Sequence, residues 1–361
     1  MKKPGIDLVG RKQWLRRCLW NWELTTGPRR VWIAIADHYE PLGRDNDEPA
    51  ARRRLARWRT EWPAIANRCR DAAGRCARYS FFYPAEAYRP HLLEPIADLI
   101  HAGLGDFGVH LHHGGESEDE FVDVIARFLA ALERVHCLSQ PWNGKPGFGF
   151  INGDWALDNC RPEGHYCGLN NELTLLARLG CYADFTMPAQ APSAQARQVN
   201  QIYWAADDPA APKSYDTGVA VRPGRTPSGD LMIIPSPYGV RLSNWWLREQ
   251  VHQNLISRCR SAVEELFLEY GELASHDPVS PHRVRRWLAL APRIGRDIFI
   301  KLFAHGAKDR EADYLLRGCL DELYDTLSQE CARRGWQPFF VSTWEMFQAI
   351  EALRRGEEPA I

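Results

Sequence analysis

The segment Val31-Trp32-Ile33-Ala34-Ile35-Ala36-Asp37-His38-Tyr39-Glu40-Pro41 runs a continuous stretch of apolar, β-prone residues into an abrupt polar break. An apolar run of strand length with no alternation fits a strand covered on both faces, as in a parallel sheet layered with helices. Beyond it, residues 49–73 repeat Leu55, Trp58, Trp62, Ile65 and Ala66 at helical spacing among arginines, and Gly74 stops the pattern. Residues 77–83 then predict a strand, 90–102 a helix and 107–111 a third strand. The beat continues with helices over 118–135 and 171–179 and strands at 148–151 and 182–185. Strands at 231–234, 298–303 and 339–342 and helices over 245–270 and 312–333 complete the series. Such alternation predicts an α/β fold with a mostly parallel sheet.

Three stretches depart from the beat. Residues 1–30 are rich in Trp and Arg and read as an N-terminal arm or cap. Residues 188–237 are dense in Pro, Ala, Asp and Gly, which predicts a covering loop or insertion. Residues 346–361 read as a C-terminal helix or tail after a body of 31–345.

Composition excludes several classes. The chain of 361 residues carries a formal charge of -1, which offers no general attraction to nucleic acid or anionic lipid. No stretch approaches the ~20 apolar residues that cross a bilayer, and charged residues interrupt the first twenty positions, so no secretory signal is expected. Ten scattered cysteines without C-x-x-C spacing predict reduced thiols and, by default, a cytoplasmic location. Phosphate loops and the G-x-S-x-G elbow are missing from the sequence, which disfavours nucleotide and serine-hydrolase chemistry.

Histidines follow three predicted strands: His38 beside Asp37, the cluster His110, His112 and His113, and His305. In parallel α/β sheets the carboxyl ends of strands converge on one face, so these residues can meet. Residues two apart on a strand share a face, which pairs His110 with His112 as ligands of one cation, with His113 as a possible additional ligand. Imidazole and carboxylate donors suit a divalent ion such as Zn²⁺. Asp37 is either a catalytic base near that ion or a turn cap, and His305 fits a general acid. Asp154 and Trp155, in a mixed polar and indole segment, and Asp184, at the end of a strand, are candidates for substrate contact.

With these motifs in view, the chain resembles the polysaccharide deacetylases of the NodB-homology class, carbohydrate esterase family 4, within the wider glycoside hydrolase/deacetylase superfamily. The resemblance runs from about Val31 to Ser342. Asp37-His38 stands where the family has two adjacent aspartates, implying Asp37 as base and His38 as metal ligand. The cluster His110, His112 and His113 stands where the family has two histidines four apart. Phe303-Ala304-His305 is similar to its late leucine-histidine motif, implying His305 as acid, while the arginine-proline motif has no counterpart. The resemblance implies a distorted (β/α) barrel of about seven parallel strands with loop insertions, and hydrolysis of acetyl groups on a carbohydrate. Two alternatives accompany it: a glycoside hydrolase using paired carboxylates, and a non-catalytic carbohydrate-binding relative.

Overall fold

Strand β1 (Arg30–His38) lies near the middle of the sheet and is buried along its length. The computed structural model describes residues 29–43, 45–189, 191, 193–241 and 268–360, together with Arg17 and Gly27. The expected N-terminal arm, except for those last two residues and the start of β1, and most of the helix expected over 245–270 lie outside the described residues.

After β1 come α1 (Glu48–Arg68), β2 (Tyr79–Pro84), α2 (Pro90–His101), β3 (Gly105–Leu111), α3 (Glu118–His136), β4 (Phe148–Asn152), α4 (Glu172–Leu179) and β5 (Cys181–Asp184). Then follow β6 (Tyr203–Ala205), β7 (Val219–Ala220), β8 (Leu231–Ile233), α5 (Pro281–Leu290), β9 (Asp297–Ala304), α6 (Leu320–Ala332), β10 (Gln337–Phe340) and α7 (Thr343–Arg355). The central sheet runs β9-β1-β2-β3-β4-β5-β8-β6-β7, with β10 on the β1 edge beside Arg30–Ile33. All neighbours from β9 to β8 pair in parallel, and β6 and β7 add antiparallel strands.

The apolar run of β1 is explained by its two covered faces. Val31, Ile33 and Ile35 join Leu55, Trp58, Trp62 and Ile65 of α1 in one core cluster. Trp32, Ala34 and Ala36 join Phe299, Phe339, Met346, Phe347 and Ile350 in a second. Burying residues of both parities removes the polar alternation that a one-sided strand would show. The helix expected as a tail from 346 therefore belongs to this core. It starts at Thr343 behind a Ser342/Glu345 capping box and contributes Met346, Phe347 and Ile350.

The sheet is strongly curved. Five strand spacings separate β9 from β5, about 24 Å on a flat sheet. Yet Lys301 of β9 donates to Phe185 O at 2.6 Å and Met187 O at 2.9 Å, just beyond β5. A lysine reaches only about 6 Å from its Cα, given the dimensions of its chain, so β9 and the end of β5 approach each other across a concave face. Among the described residues the pairings do not close into a ring.

The expectation of an irregular segment over 188–237 is corrected in part, because β6 and β7 form there, while β8 lies at the strand expected over 231–234. Strands of two or three residues are too short to display a period, and pairing with neighbours is what makes them strands. Helix α5 escaped the sequence reading.

Candidate metal centre and cleft

The carboxyl ends of β1, β3 and β9 bring His38, His110, His112 and His305 together at one rim. The ring centroid of His38 lies 5.0 Å from that of His110 and 4.9 Å from that of His305, and His110 lies 4.4 Å from His112. His110 is wholly buried, and its Nδ1 lies 3.0 Å from Ile151 O. A carbonyl can only accept, so Nδ1 carries a proton and Nε2 is the nitrogen left to face Glu40. That Nε2 has no hydrogen-bond partner and faces Glu40 Oε1 at 3.4 Å. Ring nitrogens of His38 and His110 and a carboxylate oxygen of Glu40 all fall within 4.8 Å of one another. An imidazole oriented by a backbone carbonyl, with its other nitrogen aimed at two further donors, is how proteins prepare a metal ligand.

The electrostatics agree with that use. Burial, then the rings of His305 and His110, holds His38 well below the usual histidine range. Burial, then the charge of Lys308, pushes His305 down to about 3. Both are neutral imidazoles, the form that coordinates metals. Burial by itself raises Glu40, but the facing His110 outweighs it and brings the carboxyl to about 2, so Glu40 is an anion at neutral pH.

His112 stands apart from that trio. It is partly exposed, its Nε2 is 3.8 Å from Glu40 Oε1, and its Nδ1 lies 2.8 Å from Glu86 Oε1. Burial lowers its proton affinity, yet the hydrogen bond and charge of Glu86 raise it above the usual range overall. The Glu86 carboxylate thus fixes the His112 ring and stabilises its charged form, a pairing that suits a group able to take up and release a proton. Gly153 packs against His112 so closely that any side chain there would strike the imidazole.

Asp37, expected beside the cation, faces the helix layer instead. Strand residues alternate, so Asp37 points away from His38. It is fully buried, accepts from Gly306 N at 2.8 and 2.9 Å, and accepts from the Tyr79 hydroxyl at 2.6 Å. Trp58 Nε1 holds Gly306 O at 2.7 Å. Both polar groups of the residue after His305 are therefore clamped, and Gly306 is needed because Asp37 and Trp58 fill the space a Cβ would take. Asp37 and Trp58 position the turn that carries His305.

The remaining expected residues divide. Asp154 and Trp155 line the cleft of about 650 Å³ that contains His38, Glu40, Glu86, His112 and His305, together with Tyr83, Arg54 and Lys308. The Trp155 ring lies 6.0 Å from that of His38. Asp184 is not in this cleft: it is fully buried, accepts from Thr186 N at 3.0 Å and Thr186 Oγ1 at 2.6 Å, and burial pushes it up to about 7. His113 turns to the other side of β3, with Nε2 3.3 Å from Glu172 Oε1.

Glu40 and Glu86 escaped the sequence reading. Glu40 follows His38 by two, so the alternation that paired His110 with His112 also pairs His38 with Glu40 once the strand is carried past Asp37. Glu86 lies in a short turn after β2 and has no such signal. No helix among the described residues is long and apolar enough to cross a membrane. No protein-family model matches the chain, and no curated protein matches it significantly.

Proposed function

We propose that this chain is a metal-dependent hydrolase that removes acetyl groups from a carbohydrate, of the polysaccharide deacetylase type, on a sheet rolled into a distorted (β/α) barrel. The observation that carries the reading is the buried, unpartnered Nε2 of His110 aimed at His38 and Glu40. His38, Glu40 and His110 hold the cation, and their nitrogen and oxygen donors suit Zn²⁺. A divalent ion so held supplies a Lewis acid that polarises an acyl carbonyl and acidifies water. His112, backed by Glu86, takes the proton from the attacking water and returns it to the departing amine or alcohol of the sugar. His305 offers a further neutral nitrogen beside His38, and Trp155 and Tyr83 give the cleft aromatic walls for a sugar ring.

Glycoside cleavage receives less support, because it needs two free carboxyl groups across the scissile bond. In this cleft Glu40 faces His110, Glu86 binds His112 and Asp309 binds Arg54, so among the described residues Asp154 is the one carboxyl of the cleft without an ion pair.

The test joins elemental analysis of the purified protein with acetate release from a panel of acetylated glycans. Release by the wild type, together with loss of both release and cleft-bound metal in His110→Ala, is the expected result. A His110→Ala protein that keeps its full metal content refutes the ligand set. Full metal with no acetate released from any glycan refutes deacetylation and leaves a binding protein.

A further inference from the structure

Behind the rim, on the face of β3 opposite His112, a second group of metal-type donors is sealed inside the protein. Cys167, Glu172 and Asn152 are 0% exposed and His113 is 8% exposed. His113 Nε2 is 3.3 Å from Glu172 Oε1, Cys167 Sγ is 3.3 Å from Glu172 Oε2, and the three donor atoms all lie within 4.8 Å of one another. Tetrahedral zinc with ordinary bond lengths spaces its ligand atoms about 3.3–3.5 Å apart.

Charge makes a second, independent argument. Glu172 is a buried carboxylate, and no lysine or arginine pairs with it among the described residues; its one ion-pair partner is His113. Buried charge is normally paired or bound to metal. A divalent cation with one carboxylate and one thiolate is neutral as a unit, the thiol proton passing to solvent when the ion binds.

We propose that His113, Cys167 and Glu172, with the Asn152 side chain as fourth donor, form a structural site for a zinc-like divalent cation, separate from the cleft. Asn152 Nδ2 lies 2.9 Å from Glu172 Oε1 and 3.1 Å from His113 Nε2, beside two of the three donors. Turning the amide over presents Oδ1 to the ion. The Ala156 amide that Oδ1 holds at 2.9 Å is also bonded to Gly153 O at 3.2 Å, so it retains an acceptor.

The site explains how a costly loop is kept in place. Asp154, Trp155, Asp158, Asn159 and Tyr166 all have positive φ without being glycine, a conformation unfavourable for Trp155 and Tyr166 above all. The four donors tie the ends of β3 and β4 to Cys167 and to the start of α4, and so fasten the loop that brings Asp154 and Trp155 to the cleft.

Cobalt substitution tests this without a variant, because a thiolate ligand gives Co²⁺ an intense near-ultraviolet charge-transfer absorption and the cleft donors include no sulfur. The Co²⁺-loaded wild-type chain should show that absorption, and elemental analysis should find two equivalents of metal per chain. Cys167→Ser should lose the absorption and one equivalent, whereas His110→Ala should lose the other equivalent and keep the absorption. Absence of the thiolate band from folded, Co²⁺-loaded wild type overturns the proposal, as does a Cys167→Ser protein that keeps both equivalents. Neither outcome bears on the ligands in the cleft, which His110→Ala reports separately.

Discussion

Replacing Asp37 in two ways separates an anchoring carboxylate from a catalytic one. In the structure Asp37 is the acceptor for two buried donors, the Gly306 amide and the Tyr79 hydroxyl. Asp37→Ala orphans both, at about 1–3 kcal/mol each. Part of that loss is offset, because burying this carboxyl is itself unfavourable, as its rise to about 7 through burial indicates. A net loss of about 2–4 kcal/mol corresponds to a fall in melting temperature of roughly 3–5 °C for a chain of this size. Asp37→Asn keeps the Gly306 contact through Oδ1 and reverses the Tyr79 contact, its Nδ2 donating to a hydroxyl oxygen whose own hydrogen loses its acceptor, so it should cost less than Asp37→Ala, about 1–2 kcal/mol. An anchor tolerates that exchange, whereas a general base loses its proton acceptor and about 10²–10⁴-fold in rate. Calorimetry, metal content and acetate release on the three proteins give the answer. Asp37→Ala melting with wild type refutes the anchor. Asp37→Asn that keeps stability and metal but loses turnover restores Asp37 as the base.

The pairing of His112 with Glu86 predicts a different signature. His112→Ala should retain the metal of the cleft and lose about 10²–10⁴-fold in kcat, with Glu86→Gln less severe. Loss of that metal in His112→Ala would move His112 into the ligand set. Lys301 supplies a test of pH dependence. Burial lowers its amine from 10.5 to about 7, so between those values the unfolded chain holds a proton that the native chain lacks. Unfolding free energy contributed by this group therefore rises with pH through that window and is lowest below pH 7, by a few kcal/mol in all. Lys301→Met should flatten the rise in chemical denaturation between pH 7 and pH 10 relative to wild type, and parallel profiles for the two proteins would contradict the assignment.

Much of the architecture was legible in the chain. Residues 31–36 read as a doubly covered strand because Val31, Ile33 and Ile35 pack under α1 while Trp32, Ala34 and Ala36 pack on the other face. The spacing of Leu55, Trp58, Trp62 and Ile65 announced α1 for the same reason, since a one-sided helix must repeat its apolar residues at its own period. By contrast β6 and β7 are held by cross-strand partners and carry no period of their own. Strand alternation placed His110 and His112 together, and carried one step further along β1 it would have exchanged Asp37 for Glu40.

What the sequence determined by itself is therefore local: the strands and helices whose burial imposes a period, and the histidines at strand ends that share a rim. Tertiary structure alone decided which groups meet those histidines. Glu86 reaches His112, Glu172 and Cys167 reach His113, and Asp37 clamps Gly306. Those partners arrive from separate segments through the curvature of the sheet and the course of its loops, and a side chain's chemistry depends on such neighbours and on burial more than on its place in the chain.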